Sequence, residues 1–336
     1  MANIRDVAKE AGVSITTVSR ILSGDHSFNV TDATRQRVLE AAKKLSYAYK
    51  QAPRQKVVRL GCIFAYTTDK FADPFFEGIL AAAEAECIHQ GASITFKKNY
   101  EELSDPSFMQ QLREAELDGL LLMERVSEAV YNQLKTVVPH ILSVDDAETE
   151  RGFDGVGFDH VAANRQVMSC LLEHGYRRIG IIGGGSPAEP FSRGIRLMVY
   201  REALHQAGIP YDSALVRDCA WDLELCAAQT RELLSLPEPP DAIFAGSDSL
   251  ASVVLGTLYS MGLRCPRDVG VIGFNNINLS SHMIPPLTTV DIPVSQIGSA
   301  AIRRLLEMVQ GKANYPCKIL LPTTLVMRDS LRDASK

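Results

Sequence analysis

Ile4-Arg5-Asp6-Val7-Ala8-Lys9-Glu10-Ala11-Gly12-Val13-Ser14-Ile15-Thr16-Thr17-Val18-Ser19-Arg20-Ile21-Leu22 carries two short amphipathic helices on either side of a glycine. Ile4, Val7, Ala8 and Ala11 fall at i, i+3, i+4 and i+7, the apolar stripe of a first helix. Gly12 supplies the permissive backbone of a sharp turn. Ser14 is the natural N-cap of a second helix, whose Val18, Ile21 and Leu22 turn inward. A step of about 100° per residue throws Thr16 and Arg20 onto the opposite, outward face. Two helices joined in this way read as a helix-turn-helix, whose second helix presents outer side chains to base edges in a DNA groove.

Thr31 announces a third helix, in which Val38, Ala41, Ala42 and Leu45 repeat the stripe beneath Arg35, Arg37, Lys43 and Lys44. Residues 1–47 therefore read as a small all-α headpiece. Residues 48–59 contain Pro53 and no strong period, and read as a linker. The formal net charge of -5 conceals an asymmetry. Residues 1–59 hold 11 Lys and Arg against 5 Asp and Glu, and the other 277 residues hold 24 against 35. A positive unit ahead of an acidic body places the footprint for phosphates on the first unit. A solvated basic helix face is the alternative that charge alone leaves open.

At 336 residues and 46 % apolar content the chain has a sizeable core beyond the headpiece. Strands are expected at Leu60 to Ala65, Ala92 to Phe96, Leu120 to Met123 and Ile141 to Val144, with helices after Pro74 and near Phe108. A second series places strands near Ile179 to Ile182, Leu215 to Arg217, Ile243 to Ala245 and Val269 to Phe274, with helices at Phe191 to Ala207 and Ser247 to Met261. This alternation predicts an α/β core of two doubly wound parallel-sheet units. Ligands in such sheets bind beyond the carboxyl ends of the strands, so two facing units make an interdomain cleft.

Cys62, Cys87, Cys170, Cys219, Cys226, Cys265 and Cys317 form no C-x-x-C pair and an odd set, which argues against a disulfide framework or a zinc site. Small buried hydrophobes in a reducing cytosol fit them better. No apolar run approaches the roughly 18 residues of a membrane span, and the charged start is unlike a secretory signal. Gly183-Gly184-Gly185-Ser186 invites a dinucleotide reading, but the third glycine of that fingerprint is missing. His26, His89, His140 and His205 have no visible partners, and no Ser/His/Asp order or metal spacing is present. The expectation is no catalytic residue, no metal and no cofactor: not an enzyme.

The chain resembles the lactose/galactose repressor family of bacterial transcription regulators. The resemblance lies in the opening motif, Phe158-Asp159 before a helix, Ser247-Asp248, Gly273-Phe274-Asn275, Pro285-Pro286-Leu287-Thr288-Thr289-Val290 and Leu321-Pro322-Thr323-Thr324-Leu325-Val326-Met327-Arg328. It implies a homodimer whose headpieces bind a pseudo-palindromic operator in double-stranded DNA. The implied core has a periplasmic-binding-protein-like fold and binds a small effector that alters DNA affinity. The expected organisation is an effector-binding and dimerisation core at 60–330 and a tail at 331–336. Within the core the N-subdomain takes about 60–159 plus 292–320, and the C-subdomain about 160–291 plus 321–330.

By the same resemblance Ile15, Thr16 and Arg20 read bases, Ser14, Thr17 and Thr31 touch phosphates, and Tyr47 belongs to the DNA-binding set. The helical count agrees for Thr16 and Arg20 but puts Ile15 near the inward face, where it either packs or meets a thymine methyl. A guanidinium at Arg20 can bond guanine bidentately, worth roughly 1–3 kcal/mol of discrimination. The linker departs from the family. It lacks the Pro-Asn and the Ala-Arg-x-Leu helix whose leucine wedges into the minor groove.

Sugar contacts of the family map onto the Asp73-Pro74-Phe75 loop, Asp159, Arg196, Trp221, Ser247 or Asp248, and Asn275. Carboxylates, amides and Arg suit vicinal hydroxyls, and Trp221 offers an apolar plane to a pyranose face. Three alternatives stay open: Trp221 as core packing, an Arg196–Asp159 ion pair closing the cleft, and Asp248 as a helix N-terminal residue. The implied function is a cytoplasmic repressor of a sugar-utilisation operon, released by galactose or a galactoside. A catabolite-type regulator with a protein co-regulator and a sugar-binding transport protein are the rivals. With only a short stretch from Arg328 to Lys336, no leucine-repeat tetramerisation helix is expected.

Overall fold

The computed structural model describes residues 2–23, 28–47, 57–64, 73–99, 101–124, 126–145, 153–185 and 189–333. The chain forms two compact units, Met1–Val57 and Val58–Lys336.

The first unit is built by capping. α1 (Ile4–Ala11) opens on Asn3, whose side chain accepts from the Arg5 and Asp6 amides, while Asp6 accepts from the Asn3 amide at 2.9 Å. Gly12 ends it at φ 65°, a left-handed conformation suited to glycine. Ser14 then caps α2 (Ile15–Leu22) through the Thr17 amide at 3.0 Å, and Thr31 caps α3 (Asp32–Lys44) through the Thr34 amide at 3.3 Å. Val7, Ala8, Ala11, Val18, Ile21, Leu22, Val38, Ala41 and Ala42 form the buried core, as the stripes require. Most of the linker, residues 48–56, and His26 lie outside the described residues. β1 (Val58–Phe64) opens at Val58, two residues ahead of the expected Leu60, because Val58 already pairs with Ala92.

The second unit holds two parallel sheets. The first has six strands in the order β11-β5-β4-β3-β1-β2. β1 is followed by α4 (Pro74–Gln90), β2 (Ala92–Asn99), α5 (Phe108–Glu114), β3 (Gly119–Met123), α6 (Glu128–Lys135), β4 (Ile141–Val144) and β5 (Gly155–Phe158). α7 (His160–Glu173) leads into the second sheet, whose order is β7-β6-β8-β9. Its elements are β6 (Ile179–Gly183), α8 (Ile195–Gln206), β7 (Val216–Asp218), α9 (Leu223–Leu234), β8 (Ala242–Ala245), α10 (Asp248–Ser260) and β9 (Gly270–Ile272). The chain then makes β10 (Thr289–Asp291), α11 (Val294–Val309), β11 (Lys318–Leu321) and β12 (Thr324–Val326).

Return of the chain to the first sheet is a tertiary event. β11 pairs with β5, and α11 packs on α4 so closely that a Cβ on Gly298 would lie 2.4 Å from the Ile79 carbonyl oxygen. Arg304 of α11 is buried, donates to Asp154 at 2.7 Å and reaches the Tyr315 carbonyl at 2.6 Å, tying the helix to the β5–β11 edge. The expected helix at 191–207 is interrupted by Gly194, whose extended backbone separates a short 3-10 turn at Phe191–Arg193 from α8. The expected strand to Phe274 stops at Ile272, after which Gly273 and Asn275 donate to the Thr288 and Val290 carbonyls instead. All seven cysteines are free thiols. No helix among the described residues is long and apolar enough to cross a membrane.

Candidate functional site

On the first unit, Ser14, Ile15, Thr16 and Arg20 are exposed along one side of α2. Ile15 is 44 % exposed and is not among the residues that form or pack on the headpiece core. Arg20 holds its guanidinium 4.6 Å from the centre of the Phe28 ring, a cation–π contact that steadies a long side chain. The hydroxyls of Ser14 and Thr17 are 2.8 Å apart, and those of Thr31 and Thr34 2.9 Å, so one proton of each pair is spent inside a helix cap. Tyr47 is half-buried against the headpiece core, and its amide closes α3 by donating to the Ala42 carbonyl.

In the second unit a cavity of about 180 Å³ lies beyond the carboxyl ends of both sheets. Glu124 follows β3, Asp145 follows β4, Gly184 follows β6, Gly246 follows β8, and Phe274 and Asn275 come just past β9; all six line it. Glu124, Asp145, Trp221 and Asn275 have φ values of 68°, 63°, 65° and 108°. Left-handed backbone at non-glycine residues costs energy and clusters where side chains must be aimed at a site.

Of the sequence-predicted effector residues, Asp73, Phe75, Arg196, Trp221, Ser247 and Asn275 line this cavity. Arg196 lies 5.5 Å from the Trp221 ring centre and 5.1 Å from that of Phe274. Its Nε is buried and makes no hydrogen bond among the described residues. Burial pulls the guanidinium down to about 10, against the opposing field of Asp145 and Glu124, so it stays charged at neutral pH. Trp221 is both a packing residue and a wall of the cavity. It packs on the second sheet's core, its Nε1 donates to the Gly185 carbonyl at 2.7 Å, and it also lines the cavity. A Cβ on Gly184 would come within 2.7 Å of the Trp221 ring, and one on Gly246 within 3.2 Å. Gly184 thus makes room for an indole, while a Cβ on Gly185 would meet the Phe191 amide and the Glu189 carbonyl.

Two expectations are corrected. Asp159 does not line the cavity: it is exposed, and its Oδ1 is taken by the Ala162 amide at 2.8 Å as the N-cap of α7. The carboxylates facing Arg196 are Asp145 and Glu124, so the Arg196–Asp159 pair is not formed. Asp248 is fully buried and points away from the cavity. It accepts from Ser280 Oγ and Thr289 Oγ1, each at 2.6 Å, and from the Ile277 amide at 2.9 Å. The Thr288-Thr289 motif and Arg328 belong to this same lattice, with the Arg328 amide donating to Thr288 Oγ1 at 2.9 Å and its guanidinium to Asn276 Oδ1 at 2.7 Å.

Glu124, Asp145, His160 and Asn164 also line the cavity and were missed. The signal for the first two was present: each is an acid directly after a short, largely apolar strand. His160 stacks on Phe158 at 4.0 Å, with its Nε2 3.2 Å from Asp145 Oδ1.

A helix-turn-helix unit and a two-sheet, periplasmic-binding-protein-like core in one chain define a class, the DNA-binding bacterial regulators. Residues 3–49 match the bacterial regulatory proteins of the lacI family, and residues 169–331 match the periplasmic binding protein-like domain. The HTH-type transcriptional repressor MelR of Bacillus subtilis (strain 168) is 30 % identical over 98 % of this chain and 97 % of its own length. The solved structure of the transcriptional regulator CelR–cellobiose complex is similar with a TM-score of 0.74 at 30 % identity, covering 98 % of this chain and 100 % of that one. The lac repressor dimer bound to operator and the anti-inducer ONPF shares the fold, with a TM-score of 0.74 at 24 % identity and coverage of 98 % and 99 %. The chain belongs to the lacI family of bacterial regulatory proteins. It is a DNA-binding transcriptional repressor and not an enzyme.

Proposed function

We propose that the chain acts in the cytoplasm as a homodimer that represses a sugar-utilisation operon and leaves its operator when galactose or a galactoside enters the cleft. The observation that carries this reading is Arg196: a charged donor with a buried, unused Nε, held beside the cleft's indole and facing two carboxylates. Vicinal hydroxyls can bond the guanidinium and the carboxylates together, while a pyranose C–H face lies on Trp221. Asp73, Phe75, Ser247 and Asn275 complete the effector contacts, joined by Glu124, Asp145, His160 and Asn164. Ile15, Thr16 and Arg20 face base edges; Ser14, Thr17, Thr31 and Tyr47 position the headpiece on phosphates. The cellobiose held in the CelR complex supports a carbohydrate response.

The inducer acts by population shift. It must bind the arrangement with low affinity for DNA more tightly, by a few kcal/mol, to empty the operator. A gel-shift on DNA upstream of the protein's own gene, titrated with a panel of sugars, tests both halves. Retardation relieved by a galactoside is expected. Retardation indifferent to every sugar would remove the inducer, and none at low salt would remove the operator.

A further inference from the structure

We propose that the cleft is built for an uncharged sugar ring and turns away the same sugar once it is phosphorylated. This rests on the sugar reading above and narrows it. The cavity presents hydrogen-bonding groups of both kinds. Arg196 Nε is a buried donor with no acceptor among the described residues. Asn164 is only 1 % exposed; its Nδ2 donates to the His160 carbonyl at 2.7 Å, which fixes the amide and leaves Oδ1 with no donor among the described residues. Asp145 Oδ1 sits 3.2 Å from His160 Nε2 without accepting a hydrogen bond of good geometry.

Neighbouring ring hydroxyls each donate and accept, so they answer Arg196, Asn164 and Asp145 together. A phosphate dianion in place of one hydroxyl only accepts, and it leaves the acceptor that it faces unmatched in a buried place, which is costly. The charge of the wall points the same way. Asp73, Glu124, Asp145 and Glu189 line the cavity, against Arg196 as the one Lys or Arg among its described residues. A phosphoryl group would add a charge of about -1.5 to -2 to that wall. At about 180 Å³ the cavity is smaller than the roughly 300–1,000 Å³ of sites for drug-sized ligands, and one ring suits it.

Calorimetric titration of the full chain with matched pairs tests this: galactose and galactose 6-phosphate, glucose and glucose 6-phosphate, ribose and ribose 5-phosphate. In every pair with measurable binding the free sugar is expected to bind at least thirtyfold more tightly. A phosphate ester that binds as tightly as its parent would overturn the inference and leave the sugar reading standing. Failure of every member of every pair would bring down the sugar reading and this inference with it. Asp145→Asn is a suitable second variant, because Asn tolerates the positive φ of this position. It is expected to narrow the gap to less than tenfold, and a gap left unchanged would refute the charge argument.

Discussion

Ser249 Oγ donates to Asp73 Oδ2 across 3.0 Å, joining residues 176 apart in the chain. Asp73 is the N-cap of α4, beside the six-stranded sheet, and Ser249 lies in the first turn of α10, beside the four-stranded one. One hydrogen bond therefore spans the mouth of the cleft from sheet to sheet. A bond of this kind contributes about 1 kcal/mol. Ser249→Ala is expected to let the cleft open more readily and raise the dissociation rate of a bound sugar about fivefold in stopped-flow mixing. An unchanged rate would mean that the contact does not hold the cleft.

Trp221 is the single tryptophan of the sequence, and it lines the cavity. Emission excited at wavelengths that tyrosine does not absorb therefore reports the cleft. Effector titration is expected to shift the emission, with a midpoint equal to the calorimetric one. Trp221→Phe should keep the fold, since the ring still packs between Gly184 and Gly246. It loses the donor to Gly185 and weakens effector binding about threefold to tenfold. A titration that leaves the emission untouched while heat is released would place the ligand elsewhere.

Asp248 makes stability depend on pH. Burial raises its carboxyl to about 6, although hydrogen bonds from Ser280 and Thr289 oppose the rise. In the unfolded chain an aspartate titrates near about 3.9. The folded state thus binds the proton more tightly, and this contribution is fully present below the unfolded value and lost as pH rises through about 6. Relative to Asp248→Asn, the wild-type chain is expected to lose about 2 kcal/mol of stability between pH 4 and pH 7. Urea melts at the two pH values, compared between the two proteins, would show it; parallel curves would refute it.

Asp154 and Arg304 form a buried ion pair, with Asp154 also accepting from the Cys317 amide at 3.2 Å. Removing one partner strands a charge in the interior. Asp154→Ala is expected to cost about 3–5 kcal/mol of stability, measured by chemical denaturation. A loss below about 1 kcal/mol would mean that Glu307, 3.1 Å away, suffices for Arg304.

Arg20→Ala removes an exposed side chain that lies on the Phe28 ring but is not among the buried residues of the headpiece core, so the headpiece should still fold. Discrimination between operator and altered sites is expected to fall by about 1–3 kcal/mol, while affinity for unrelated DNA changes little. Competition binding at fixed salt checks this, and full retained discrimination would remove Arg20 from the base-reading set.

Much of this molecule was legible in local patterns. The stripe Val18, Ile21, Leu22, the caps Ser14 and Thr31, and the apolar runs of β3 and β4 are set by periodicity over a few residues, and folding preserves them. Carboxylate roles were not legible in the same way. Asp73, Asp159 and Asp248 all stand at the start of a helix in sequence, yet one lines the cleft, one caps in solvent and one is buried in the Thr289 lattice. Glu124 and Asp145 carried a usable signal in their position after a parallel strand, but the face of the sheet to which they turn depends on a left-handed backbone that no pattern announces.

By itself the sequence determined the helices of the headpiece, the alternation of strand and helix, and the motifs that mark the family, because each depends on neighbours a few residues apart. Only the tertiary structure decided which acids meet Arg196, why three glycines sit beside Trp221, and how Ser249 reaches Asp73. Those outcomes depend on which strand ends are brought together between residues distant in the chain. A buried donor or acceptor is matched or left open by that closure, and the groups left open in the cleft are where a ligand can bond.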